Sequence, residues 1–116
     1  MNPYERLDAW KQAHNLALMV YRLTERWPSH ERFGITSQVR RAAVSVPSNL
    51  AAGAAKRGRR EFRRYIDIAL GSLSELRYLL HLARDLGYVS DASHAEVDVV
   101  RDRTGRMIWR LYQAMQ

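Results

Sequence analysis

The sequence predicts an all-α protein, an antiparallel up-down-up-down four-helix bundle with a Pro-kinked second helix, formed by residues 1–116 as a single domain. Three observations predict it. Apolar residues recur at alternating spacings of three and four in four separate segments, as they do when a helix buries one face. Only 3 prolines and 6 glycines interrupt 116 residues, which leaves long uninterrupted stretches. No run alternates apolar with polar residues as a half-buried strand would. Short connections between such helices place chain neighbours antiparallel. A content of 47% hydrophobic residues supplies a core.

The first helix is read from Leu7 to Trp27, on the stripe Trp10, Ala13, Ala17, Val20, Thr24 and Trp27. A second stripe (Ala9, Leu16, Met19, Leu23) lies beside it, so the apolar face is wider than one bundle core needs. Pro28 is expected to end this helix, with Ser29 to Gly34 as the connection. The second helix starts near Ile35–Thr36, with Thr36 as N-cap, and carries Val39, Ala42, Ala43, Val46, Leu50 and Ala54. Pro47 falls inside it. An interior proline removes a backbone hydrogen bond and costs about 3 kcal/mol or more, so a break and restart competes with a continuous, kinked helix. The unbroken phase from Val39 to Ala54 favours the kinked helix, with Ser45 and Ser48 placed to satisfy the freed carbonyl. Gly58 separates this helix from the third, whose run Phe62, Ile66, Ala69, Leu73, Leu76, Leu80, Ala83 is the strongest heptad in the chain. Gly87 follows Leu86 as a C′ glycine. Ser90 or Asp91 caps the fourth helix, which carries Val97, Val100, Thr104, Met107, Ile108, Leu111 and Met115 to the C-terminus.

Charge is concentrated. The chain holds 19 bases and 12 acids, a net of +7, and only Lys11 and Lys56 among the bases are lysine. Residues 40–64 contain Arg40, Arg41, Lys56, Arg57, Arg59, Arg60, Arg63 and Arg64 against Glu61 alone, so this segment carries the whole net charge. In an up-down bundle this segment shares one end with residues 1–15 and 103–116. That end is expected to carry +10 and the remainder −3. Bases after the second helix complement its negative C-terminal dipole. Those opening the third helix face a positive N-terminus, unfavourable by roughly 0.3–1 kcal/mol each. Stability therefore accounts for half of the cluster, and the other half points to an anionic ligand. Arginine suits bidentate phosphate contacts.

Other chemistries find little support. With no cysteine, disulfide scaffolds and Cys-based metal sites are excluded. The charged N-terminal stretch reads as no signal peptide. The longest apolar run, Leu16 to Tyr21, is far below the ~20 residues of a membrane span. A cytoplasmic location is expected, without membrane association. His30–Glu31 does not continue to a HExxH motif, because residue 34 is glycine. A di-metal bundle needs two Glu-x-x-His pairs, and only Asp91-x-x-His94 approaches one. Gly53-x-x-x-x-Gly58 imitates the opening of a phosphate loop but leads into Arg59–Arg60 with no strand before it, so it reads as a helix–helix turn. His81 and Asp85 read as a surface i,i+4 pair. Neither a catalytic residue nor a metal or other cofactor is expected. Small residues at 51–55 and at Ala69, Gly71, Ser72 and Ser74 suit close helix approach, within the bundle or between subunits.

The stretch Gln38-Val39-Arg40-Arg41-Ala42-Ala43-Val44-Ser45-Val46-Pro47-Ser48-Asn49-Leu50-Ala51-Ala52-Gly53 closely resembles the signature of the four-helix-bundle proteins encoded in 23S rRNA intervening sequences. Leu7 to Ala13 resembles that family's opening. Pro28 to Thr36, with Glu31, Phe33, Gly34 and Ile35, resembles its first connection, and Ala69 to Leu76 its third-helix motif. The resemblance runs over roughly residues 7–110. Ala52 departs from it, the family usually carrying Glu there. The resemblance implies an up-down bundle assembled as a homopentamer. It also links the chain to the accessory proteins of diversity-generating retroelements, similar bundles that bind nucleic acid and a reverse transcriptase. It carries no catalytic residue over.

The expectation is thus a non-enzymatic homo-oligomer, pentameric by resemblance, that binds nucleic acid, RNA first, through phosphate contacts from Arg40, Arg41, Lys56, Arg57, Arg59, Arg60, Arg63 and Arg64. Arg40 and Arg41, deeper in their helix, are the ones expected to turn to intersubunit salt bridges instead. The alternative is an oligomeric adaptor docking a protein partner, through an acidic end around Asp91, Glu96, Asp98 and Asp102.

Overall fold

The computed structural model describes residues 2–116. They form α1 (Asp8–Thr24), α2 (Ile35–Ala54), α3 (Arg59–Asp85) and α4 (Asp91–Ala114), with 3₁₀ turns at Pro3–Arg6 and Ser29–Glu31. No strand occurs among the described residues. Each helix packs on the next in the chain, and α4 closes the bundle against α1. Contacts near the helix ends give the directions. Arg40, early in α2, donates from Nε to Thr24 Oγ1 at the end of α1 (2.8 Å), whereas Ala51, late in α2, shares a groove with Trp10 and His14 early in α1. Gly53 at the end of α2 meets Phe62 at the start of α3. Arg63, near the start of α3, donates to the Met115 carbonyl just past α4 (3.3 Å). Helix length sets the shape: the 27 residues of α3 span about 40 Å at 1.5 Å per residue, close to the 43 Å long axis of the molecule.

The heptad stripes become the core. Leu16, Val20, Val39, Val46, Leu50, Ile66, Leu76, Leu80, Val97 and Ile108 are fully buried. Helix α1 draws on both of its stripes, burying Ala9 and Leu16 from one and Ala13, Ala17 and Val20 from the other. Trp10 stays half-buried on the outside, stacked on His14 and tilted against Tyr4. One core-facing residue escaped the periodic reading: Arg101 is buried, and its Nε donates to Asp98 Oδ1 at 3.0 Å.

Several boundaries differ from expectation. Helix α1 ends at Thr24, three residues before the expected Trp27. The Thr24 hydroxyl bonds back to the carbonyls of Val20 and Tyr21. Pro28 disfavours the helical region for Trp27, which turns inward onto Tyr88, ring centroids 5.9 Å apart. The N-cap of α2 is Gly34 rather than Thr36. Thr36 lies inside the first turn, only 7% exposed, and its hydroxyl has no hydrogen-bond partner among the described residues. Packing has overridden its capping preference. Helix α2 runs unbroken through Pro47, so the break-and-restart reading fails. Neither serine serves the carbonyl freed by Pro47. Ser45 Oγ pairs with Ser72 Oγ across to α3 (2.7 Å), and the Asn49 amide donates to the Ser45 carbonyl and hydroxyl.

The α3–α4 turn forms as expected. Gly87 takes φ +82°, its N–H donates to Arg84 O, and Tyr88 N–H reaches Ala83 O, the two bonds that close a helix through a left-handed glycine. The Tyr88 hydroxyl donates to Glu31 Oε2 (2.8 Å), tying this turn to the α1–α2 connection. That hydrogen bond, with partial burial and the carboxylate's charge, raises the phenol above its ordinary pKa. Ser90 rather than Asp91 caps α4, its Oγ accepting from Ser93 N–H at 3.1 Å. Ser90→Ala is expected to cost about 1 kcal/mol of stability, read as a lower urea midpoint with an unchanged slope.

Candidate nucleic-acid interface

The interface is built by the α2–α3 turn. Gly53 makes the close approach that starts it: a Cβ there would lie 2.7 Å from Tyr65 Cβ and 2.9 Å from Phe62 Cδ1. Gly58 makes the turn itself. Its φ of +83° and ψ of 160° lie where only glycine rests without strain. A Cβ there would meet nothing within 4 Å, so backbone conformation alone demands the glycine. The former phosphate-loop look-alike is therefore a close contact followed by a turn, as its sequence context indicated.

Gly58 has no side chain to cap α3, and the first helical hydrogen bond is Phe62 N–H to Gly58 O. The N–H groups of Arg59, Arg60 and Glu61 thus have no partner within the helix. Around this positive helix end sit Lys56, Arg57, Arg59, Arg60, Arg63 and Arg64, with Glu61 the one acid of the group. Arg59 and Arg60 occupy the first turn beside Glu61. Arg63 and Arg64 lie beyond it, where the dipole penalty has largely faded. The expected conflict with the dipole therefore falls on two arginines rather than four.

Three of the six bases have work inside the fold. Arg63 holds the Met115 carbonyl at the negative end of α4. Arg64 lies 3.6 Å from Glu61 and stacks over the Tyr65 ring, which Lys56 also approaches at 5.6 Å. Arg57, Arg59 and Arg60 are exposed and make no ion pair among the described residues. Arg60, Arg63 and Arg64 line an open basin of about 450 Å³ with Glu61, Asp67 and Tyr112.

Arg40 and Arg41 do not join them. About 21 Å of helix separates Arg40 from Ala54, and Arg40 is held near the opposite end by Thr24 Oγ1 and by the Tyr21 ring, 4.7 Å from its Cζ. With Arg41 it lines a separate hollow beside Arg32, Phe33 and Thr36. The eight bases of the sequence segment are thus six at one end and two at the other. Without those two, the end formed with residues 1–15 and 103–116 carries +8 rather than +10.

Elsewhere, His81 Nε2 and Asp85 Oδ2 form the expected surface pair at 3.2 Å. Of the four acids expected to mark an acidic end, Asp98 is paired with Arg101 and Asp102 with Arg106 within α4. The sequence reading overlooked the aromatic neighbours of the basic end: Tyr65, and the stacked pair Trp109 and Tyr112, centroids 5.4 Å apart. A signal was available. Trp109 falls off the apolar stripe of α4, with Arg106 and Arg110 around it.

Fold and site together define a small, basic four-helix-bundle protein with an arginine-rich end. Residues 5–110 match the family model described as 23S rRNA-intervening sequence protein, and the chain belongs to that family. A crystal structure of a protein of unknown function from the S23 ribosomal protein family of Bacteroides thetaiotaomicron superposes with a TM-score of 0.84 at 16% identity, over 90% of this chain and 95% of that one. At that identity the likeness concerns the fold. Among curated proteins none matches. Among the described residues, no helix is long and apolar enough to cross a membrane.

Proposed function

We propose that this chain is a non-enzymatic, homo-oligomeric RNA-binding protein that grips phosphates with its arginine-rich end and acts in the cytoplasm. The observation that carries the reading is the set Arg57, Arg59 and Arg60, exposed without intramolecular ion pairs beside the open N–H groups of α3. Two of these arginines oppose the helix dipole, so the fold does not ask for them, whereas a phosphate backbone does. Membership in a family named for an rRNA insertion favours RNA over other polyanions.

The oligomer is supported by the outer face of α1 and α2. There Trp10, Leu18, Tyr21, Val44 and Pro47 line an open, largely apolar groove, with Leu18 and Tyr21 lying off both of the stripes that α1 gives to the core. The subunit number, five, rests on the family resemblance. The adaptor reading has less behind it, because half of its acids are already engaged.

Salt titration of labelled RNA binding tests the proposal. Log K is expected to fall linearly with log salt, by about 0.7 per phosphate contacted on a single strand and 0.9 on a duplex. Salt-independent binding, or a stoichiometric protein partner retained after nuclease treatment, refutes it. Light scattering on the same sample tests the oligomer, a monomeric mass excluding it.

A further inference from the structure

We propose that the arginine-rich end is built for single-stranded nucleic acid, with an unstacked base laid on Trp109. The inference rests on the phosphate-binding reading and adds what that reading leaves open, the form of the strand. Of the 3 tryptophans in the chain, Trp27 is buried against Tyr88, and Trp10 is half-buried and stacked on His14. Trp109 alone is exposed, at 50%. Its ring is neither loose nor spent on the core. It lies nearly parallel to Tyr112, with 12° between planes, and Tyr112 in turn lines the basin of Arg60, Arg63 and Arg64. The aromatic pair therefore reaches the basin through Tyr112. There Arg60 is the cation without an ion pair among the described residues, Arg63 and Arg64 being engaged with Met115 O and Glu61, and Glu61 and Asp67 are the carboxylates.

A single exposed aromatic residue is ordinary. An indole stacked on a tyrosine, at the edge of a basin with three guanidinium groups against two carboxylates and next to the exposed Arg57 and Arg59, is the arrangement that tracks a flexible strand, with cations on the backbone and rings under the bases. A duplex keeps its bases stacked on one another and offers such an edge only phosphates, so Trp109 would contribute nothing to holding it. Charge complementarity selects the occupant: an apolar protein segment on Trp109 would have to lie beside Arg110, the next residue on the helix, and extend over Tyr112 toward the exposed Arg60.

The full chain is titrated by fluorescence anisotropy with labelled oligouridylate, oligodeoxythymidylate and an RNA duplex of equal length, for the wild type, Trp109→Ala and Trp109→Phe. Both single strands are expected to bind more tightly than the duplex. Trp109→Ala is expected to lose roughly 5- to 100-fold in single-strand affinity, with duplex affinity and the salt slope unchanged, and Trp109→Phe to retain most of the binding. Equal binding of strand and duplex, or an equal loss on both for Trp109→Ala, overturns the inference and leaves a phosphate-only surface, with the broader reading intact. Absence of binding by all three probes overturns both. A changed mass by light scattering for Trp109→Ala assigns the indole to a subunit contact and also overturns the inference.

Discussion

Replacing Arg57, Arg59 and Arg60 together by alanine is expected to cost about 100-fold in affinity for single-stranded RNA at 0.1 M salt, while leaving the fold as stable or more so. The magnitude follows from counterion release. Three lost phosphate contacts flatten the salt slope by about 2.1 on a single strand. If the contribution is purely electrostatic, the wild-type and variant lines converge near 1 M and stand about two decades apart at 0.1 M. The stability half follows from the helix dipole: Arg59 and Arg60 sit in the first turn of α3, where each is unfavourable by roughly 0.3–1 kcal/mol. Loss of binding with an unchanged or raised melting temperature is the signature of residues kept for a ligand. Unchanged binding removes the phosphate-contact role, and a fall in melting temperature means that these arginines support the fold through contacts between subunits. Arg63 and Arg64 are poorer choices for this test, because their bonds to Met115 and Glu61 mix the two effects.

Gly53→Ala is expected to destabilise the bundle and to loosen the binding end with it. The new Cβ would come within 3 Å of Tyr65 Cβ, an atom fixed to the α3 backbone rather than the far end of a mobile side chain. Overpacking of this kind costs about 1–3 kcal/mol, and the helix propensity gained from alanine returns at most about 1 kcal/mol. The net expectation is a melting temperature lower by several degrees and weaker RNA binding, since α3 carries Arg59 to Arg64. Gly71→Ala is the matched control. Gly71 is exposed inside α3 with nothing within 4 Å of the added carbon, so the same change should stabilise by about 0.5–1 kcal/mol. A loss of stability at Gly71 would place another subunit against that face. An unchanged melting temperature for Gly53→Ala would show that α2 and α3 part without cost.

Most of the bundle was legible because burial is periodic. Ile66, Ala69, Leu73, Leu76, Leu80 and Ala83 are at once the strongest heptad in the sequence and the buried face of α3. Gly87 and Ser90 were legible for a local reason: a left-handed C′ residue and an N-cap hydroxyl act within four residues of themselves. Thr36 was misjudged because its hydroxyl could cap equally well in isolation, and only the packing of α2 shows that the residue is needed inside. The end of α1 moved for the same kind of reason, Trp27 being drawn onto Tyr88, 61 positions further along the chain.

The candidate site divides along the same line. By itself the sequence determined that the chain is helical, that its charge excess lies in residues 40–64, and that Gly53 and Gly58 bracket a connection rather than a phosphate loop. These are local properties of composition and spacing. That Arg40 and Arg41 stand far from Arg57, Arg59 and Arg60 follows from the rise of the helix read from Ile35 to Ala54, but only the tertiary structure decided that Thr24 and the Tyr21 ring hold Arg40 there. The tertiary structure alone brought Tyr112, with Trp109 stacked on it, from the last helix to a basin lined by arginines some 50 positions earlier. The reason is geometric. A helix rises 1.5 Å per residue, so bases adjacent in a sequence count separate along the bundle, while antiparallel packing joins the start of one helix to the end of another wherever it lies in the chain.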